Sequence, residues 1–465
     1  MIHIQTPPGC TTERHYILRI IFDDWLGLPW SVSSVEREDM SMTLAGQPGE
    51  IRLPDRFFGQ FKRSTAAWLN AASLPQPPLA HWDTRELSAR ITLTDPVVPL
   101  IQGNPDPTLR LTDEHLALPI DLFGSAFFML SRYEEAVLPE RDHYDRFPAT
   151  ASLAYQAGFL DRPIIDEYIE ILWAAMQRVW PGLARQTRTP CIRVSCDVDH
   201  PFALVGSPLM MARRLASDLL RHRSPTRAGA NLRGYWRALH DDYTHDPYRN
   251  ALDWIMDINE NAGHRVAFYF IPEKTHSRFD QALSLDDPRM RMLLRQIHTR
   301  GHEIGIHPGY NTYQHPSALA RSVATLRRVL DEESITQPLL GGRQHFLRWA
   351  MPTTARLWND NGLDYDSTLS FADRPGFRCG TCHDYPLYDL THRHPLRLRE
   401  RPLIVMECSV IADRYLGLGY SDAALALMQG YRDTCHRFSG AFTLLWHNSH
   451  LTTAQDRAFY QALVV

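Results

Sequence analysis

CIRVSCDVDHP, residues 191–201, is the stretch from which the rest of the chain is best read. An apolar, β-branched run that closes on two acids reads as a buried strand whose C-terminal tip delivers carboxylates. The two-residue period of a strand puts Asp197 and Asp199 on one face. Two like charges that close need a cation or a shared proton between them, so the strand end predicts either a metal site or a general base of raised pKa. A turn or helix cap is the plain alternative for acids in this place.

From this strand onward the pattern repeats. Apolar strand stretches are predicted at 191–199, 264–272, 302–308, 343–349, 364–371, 402–410 and 441–450, separated by helical patterns at 246–263, 288–301, 317–332 and 421–438. Such alternation argues for an α/β fold of parallel strands with right-handed crossovers, either an open sheet or a closed barrel. Asp197, Asp199, His307, Asp366, Glu407 and His447 fall near the ends of separate predicted strands, and Arg343 opens its own. A parallel barrel gathers its active site at the C-terminal strand ends, which is the pattern of these acids, histidines and arginine.

Upstream, residues 1–185 alternate short apolar segments with helical patterns, two of which, 119–137 and 163–180, carry apolar residues at three-to-four spacing. No motif there names a chemistry. PGLARQTRTP (181–190) reads as the linker into the second domain, 191–465. Within that domain 201–245 is an insertion, carrying Arg213, Arg214, Arg221, Arg223, Arg227, Arg233 and Arg237 against a single acid, Asp218, between 212 and 237. It is either a solvated helical face or a lid bordering the mouth that attracts an anionic substrate.

Bulk composition narrows the function classes. With 49 basic and 53 acidic residues in 465, the net charge of -4 carries no polyanion-binding signature, so nucleic acid is not a favoured partner. Only Lys62 and Lys274 are lysines, which leaves two candidates for Schiff-base chemistry and no GK[ST] phosphate loop. Seven scattered cysteines read as reduced thiols in a cytoplasmic protein. The first residues lack a signal-peptide pattern, and no run of 18 apolar residues offers a transmembrane segment.

Individual motifs are weaker. In HEIGIH (302–307) the histidines are five apart, one too many for the helical zinc-protease spacing, and the isoleucines favour a strand on which Glu303, Gly305 and His307 share a face. His307 is then the ligand candidate. Cys379-Gly-Thr-Cys382-His383 matches haem attachment but lacks an export signal, and a structural zinc would need a second cysteine pair; packed or hydrogen-bonded thiols are expected. WHNSH (446–450) puts His447 where a general acid could sit. GxSxG and GxGxxG are both absent.

Together the Asp-x-Asp strand, GHEIGIH (301–307), Arg343, GLDYDST (362–368) and the histidine closing the last strand resemble the polysaccharide deacetylase superfamily, the NodB-homology group of carbohydrate esterase family 4, over 191–465. Residues 60–185, with GSAFFMLSRYEE, resemble the uncharacterised domain that precedes a deacetylase domain in one bacterial branch. The resemblance implies a seven-stranded distorted (β/α) barrel preceded by a smaller α/β domain. It implies a divalent metal cofactor, zinc above all, held by Asp199 and His307, with Asp197 as general base, Arg343 orienting Asp197, and His447 as general acid. The third ligand of that family is a histidine four residues after the first, and Asn311 stands there. An amide oxygen binds zinc more weakly than imidazole, and His200, His345 and Glu407 are the alternatives for completing the site. The implied function is metal-dependent hydrolysis of the N-acyl group of an amino sugar in a glycan or glycan precursor, which would be the protein's partner. A catalytically inactive, glycan-binding descendant is the alternative that Asn311 raises.

Overall fold

In the computed structural model, residues 1–465 are described except 63, 64, 113, 114, 206, 207, 221, 222 and 241. Its contacts divide it into two compact units. One comprises 1–191, 346–409 and 430–443; the other comprises 192–345, 410–429 and 444–465.

The first unit holds a six-stranded sheet in the spatial order Trp30–Ser34, Ile2–Thr6, Asp39–Leu44, Glu50–Pro54, His115–Ala117, Arg110–Leu111. Ile2 and Ile4 alternate with exposed neighbours along their strand, the period-two burial of a sheet with one face in the core. The helix Leu122–Leu130 is buried along its whole length, and Asp121 caps it by accepting from the Gly124 N–H at 2.8 Å. The helix Ile164–Val179 falls inside the predicted 163–180. Tyr365–Asp366 pairs in parallel with His394–Glu400, which pairs antiparallel with Tyr385–Asp389. Cys379 and Cys382 are buried free thiols, and Cys382 Sγ lies 3.1 Å from Asp166 Oδ2, as expected of packed, hydrogen-bonded cysteines.

The second unit carries strands β1 (Cys191–Val198, its first residue in the other unit), β2 (Val266–Phe270), β3 (Glu303–Ile306) and β4 (Gly341–Gly342). They run parallel in the order β4, β3, β2, β1, with Tyr269 opposite Asp197, Phe270 opposite Ile306, and Ile306 opposite Gly342. Helices at Pro247–Asn261, Pro288–Thr299 and Pro316–Glu332 fill the predicted ranges, each with proline in its first turn. The end of a further strand, Ala441–Leu445, enters this unit, where the Trp446 N–H donates to the Ser195 carbonyl at 2.9 Å.

The stretch 343–349 departs from expectation. It is not a strand: β4 is the Gly341–Gly342 pair, and Arg343 follows it. A Cβ on Gly342 would lie 1.8 Å from the Ile306 carbonyl oxygen, so the close approach of β4 to β3 needs glycine. Beyond it, positive φ at Phe346 and Leu347 turns the chain away. Strands predicted at 364–371 and 402–410 shorten to Tyr365–Asp366 and Val405–Met406, the latter running directly into a short helix, Glu407–Ile411.

The insertion folds as two helices, α1 (Pro208–Leu220) and α2 (Pro225–Ala238), packed on each other, with Asn231 Nδ2 donating to buried Asp218 Oδ2 at 2.6 Å. Arg221 lies outside the described residues, as does the side chain of Arg227.

Candidate metal centre

Asp197, Asp199, His307, Arg343 and His447 lie at or just past the C-terminal ends of strands. Asp197 lies in the last turn of pleat of β1 and Asp199 one residue past it; His307 follows β3 and Arg343 follows β4. His447 comes two residues after Leu445. Backbone bonds from the His307 N–H to Phe270 O at 2.7 Å and from the Arg343 N–H to Ile306 O at 3.0 Å extend the parallel ladder to these residues. The parallel register therefore sets the site before any side-chain contact does.

His307 Nδ1 lies 2.6 Å from the Arg343 carbonyl oxygen. A carbonyl only accepts, so Nδ1 carries a proton and Nε2 is the atom left to take a second proton or a metal. That nitrogen faces Asp199 Oδ1 at 3.4 Å and Asp197 Oδ2 at 3.7 Å. His345 is built the same way. Its Nδ1 is 2.9 Å from Asp280 Oδ1, and its Nε2 lies 3.5 Å from Asp199 Oδ1. Asp280 also accepts from the N–H groups of Thr275, His276 and Tyr310 and from the Thr275 hydroxyl. Burial favours the neutral acid, but the bond from His345 and the Tyr310 N–H outweigh it and hold Asp280 well below the usual carboxylate range.

Ligand atoms of Asp199, His307 and His345 all lie within 4.8 Å of one another. Asp199 Oδ1 is buried and accepts no hydrogen bond from the protein, although two imidazole nitrogens flank it. Two lone pairs aimed at an anionic oxygen repel unless a cation or proton sits among them. A tetrahedral ion with ligands at about 2.1 Å has edges of about 3.4 Å, which matches the separations of Asp199 Oδ1 from the two Nε2 atoms, 3.4 Å and 3.5 Å. Oxygen and imidazole donors, with a carboxylate orienting one imidazole and a carbonyl the other, suit zinc or a similar divalent ion.

Asp197 sits beside these three in a different setting. Its Oδ1 accepts from Arg343 Nη1 at 2.7 Å, and the same Nη1 donates to Ser195 Oγ at 2.9 Å. Both members of the pair are buried, and the guanidinium also lies 5.1 Å from the centre of the Tyr269 ring. Arg343→Met should therefore cost about 3–5 kcal/mol in urea unfolding, because Asp197 would be left as a buried carboxylate without its cation. A loss under about 1 kcal/mol would show the pair to be dispensable for stability.

His447 borders the group. Its Nε2 lies 3.9 Å from Asp199 Oδ2, and it keeps 16% of its side chain exposed, so an incoming molecule can reach it. Asn448 fixes the local chain by donating to His200 O at 2.9 Å. Burial lowers the pKa of His200, the first alternative ligand. Around Asp199 burial favours the neutral acid, yet the neighbouring His345, His307 and His447 pull its pKa well below the ordinary range. For His307 burial favours the neutral ring, and the charges of Asp197 and Asp199 win, raising its pKa.

Asn311 is engaged elsewhere. Its Nδ2 donates to the Thr275 carbonyl at 2.8 Å, and its N–H to Thr275 Oγ1 at 2.9 Å. Gln344 ties the same loop by donating to Thr312 Oγ1 at 2.8 Å. Glu407 and Asp366 belong to the first unit, where Asp366 accepts from the Thr368 N–H. Sequence reasoning named His345 only as an alternative ligand and missed Asp280 altogether. The first was hidden by reading 343–349 as a strand; the second has its partner 65 residues away, beyond any local pattern.

Residues 2–181 match the model of a family of unknown function, DUF7033. That match overlaps residues 60–185, whose sequence resembles an uncharacterised domain. No curated protein matches the chain. Solved structures similar to it include one described as a polysaccharide deacetylase of Mycobacterium smegmatis, 17% identical with a TM-score of 0.38, covering 62% of this chain and 86% of that one. The allantoinase Puue is 14% identical with a TM-score of 0.38, over 61% and 85%. A protein described as a polysaccharide deacetylase of Pseudomonas aeruginosa PAO1 is 16% identical with a TM-score of 0.31, over 46% and 65%. Scores this low leave any functional reading to rest on the residues of the site.

Proposed function

We propose that the chain is a metal-dependent amidohydrolase that removes an acyl group, acetyl above all, from an amino sugar in a glycan or glycan precursor. The observation that carries this reading is Asp199 Oδ1 between the Nε2 atoms of His307 and His345, with the Asp197–Arg343 pair alongside. The sugar comes from the sequence resemblance. In this reading 1–185 is an N-terminal α/β domain of unknown role and 191–465 is the deacetylase-like part, its parallel strands belonging to a seven-stranded distorted barrel; the family-model boundary at 181 supports that division along the sequence, although 346–409 and 430–443 pack in one compact unit with 1–191.

Asp199, His307 and His345 would hold the metal. When bound, it would polarise the amide carbonyl and acidify a water. Asp197, held by Arg343 through one oxygen, has its other oxygen on the side of His307 and acts as the base that takes the water's proton. Arg343 fixes the direction of Asp197 through that bond. His447, which keeps 16% of its side chain exposed, donates a proton to the departing amine. One group must start deprotonated and the other protonated, and their settings differ accordingly: Asp197 against a guanidinium, His447 against the carboxylate of Asp199.

The third ligand in this proposal is His345, with Asn311 as a loop residue. Zinc titration of the metal-stripped protein separates the two assignments. His345→Ala should weaken zinc at least roughly tenfold, within the range for losing part of a metal's support, and Asn311→Ala should leave it within about threefold. The reverse order would return Asn311 to the site. Acetate release from chitin oligomers, dependent on added metal and abolished by chelator, tests the reaction itself. An imidazole beside Asp199 supports the metal-dependent reading over the inactive, glycan-binding alternative that Asn311 raised.

A further inference from the structure

Helices α1 and α2 differ sharply in what they bury and what they expose. Met211, Asp218, Ala228 and Asn231 are buried. Leu209 (60%), Leu220 (80%), Leu232 (54%), Trp236 (63%) and, just past α2, Leu239 (64%) are exposed. In α1, Leu209, Arg213, Ala216 and Leu220 recur at four-three-four spacing and are all exposed, so they form one stripe. In α2, Leu232, Arg233 and Trp236 do the same, and Leu239 continues the stripe just past the helix end.

Large exposed apolar side chains grouped this way normally mark a surface that is covered by something. The charge on this one tells what. Between 208 and 240 the sequence has one acid, Asp218, and it is buried against Asn231. Arg213, Arg223 and Arg233 are exposed. Arg214 and Arg237 are the exceptions, the first donating to the Ala203 carbonyl and stacking over Tyr248, the second reaching Asp242 at 3.5 Å. Leucine and tryptophan on the same stripes as arginine, with no acid among them, fit the boundary between acyl chains and negatively charged headgroups. A second copy of the same surface would bring arginine against arginine, and a sugar chain would leave the leucines without an apolar partner. No described helix is long and apolar enough to cross a membrane, so contact would be in the plane of the surface.

We propose that this hairpin docks the protein on an anionic lipid bilayer. The proposal is independent of the metal site. The test is sedimentation of the full-length protein with vesicles of phosphatidylcholine alone or of phosphatidylcholine with phosphatidylglycerol. Binding is expected to the anionic vesicles, to weaken as sodium chloride is raised, and to be absent from the neutral ones. Arg213→Gln with Arg233→Gln should weaken it by roughly 30-fold, from the attraction of each surface arginine to an anionic leaflet. Bromine-labelled acyl chains should quench tryptophan fluorescence in the native protein more than in Trp236→Phe. These substitutions are of exposed side chains, and an unchanged thermal melt checks that they leave the fold intact. Absence of binding to the anionic vesicles overturns the proposal. So does binding that survives both the arginine pair and Trp236→Ala, or self-association in solution that Trp236→Ala abolishes while vesicle binding is unaffected.

Discussion

Asp199→Ala is expected to lose bound divalent metal and amide hydrolysis together. Its Oδ1 is the only anionic oxygen between the two imidazoles within the Asp199, His307 and His345 cluster, and it accepts no hydrogen bond from the protein. Without it two neutral nitrogens would remain to hold a divalent cation, too few for a site with an open catalytic position. Turnover should fall by on the order of 10⁴-fold or more, because the Lewis acid and its activated water go with the ligand. Metal content gives an answer that does not depend on knowing the substrate. Zinc at a hundred times its dissociation constant should stabilise the native protein by about 2.7 kcal/mol and the variant hardly at all. A variant that still binds one equivalent of zinc with unchanged affinity would remove Asp199 from the ligand set.

Asp197→Asn should do the opposite on one count. Metal should stay, since Asp199, His307 and His345 are untouched, while hydrolysis drops by the ~10²–10⁴ that a general base contributes. The substitution keeps an oxygen for Arg343 Nη1, which now lies 2.7 Å from Asp197 Oδ1, so the arginine retains an acceptor although it loses a counter-charge. Melting curves with and without zinc would show whether any loss of rate comes from unfolding. An Asp197→Asn protein with native turnover refutes the base assignment. Loss of zinc in this variant would instead make Asp197 a ligand.

How much of the site could be read in the sequence depended on distance along the chain. Asp197, Asp199 and His307 announced themselves through strand period and position at a strand end, because side chains at i and i+2 share a face whatever the strand packs against. The helices with proline in the first turn and the parallel strands between them followed from local pattern in the same way. Arg343 was expected to open a strand and instead follows one: that strand is two glycines long, a length no periodicity can register.

What the sequence by itself determined was therefore the parallel α/β character of the second part, the acids at the end of β1, and the histidine at the end of β3. Only the tertiary structure decided which third side chain faces Asp199. That choice turns on two left-handed residues after His345, on Asp280 fixing the imidazole from another loop, and on Thr275 engaging the amide of Asn311. The amphipathic stripes of the insertion were likewise ambiguous as sequence, since leucine at helical spacing is usually core. Which of two stripes a helix buries is settled by what packs on it, and here Asp218 with Asn231 turned inward while Trp236 and the leucines stayed outside.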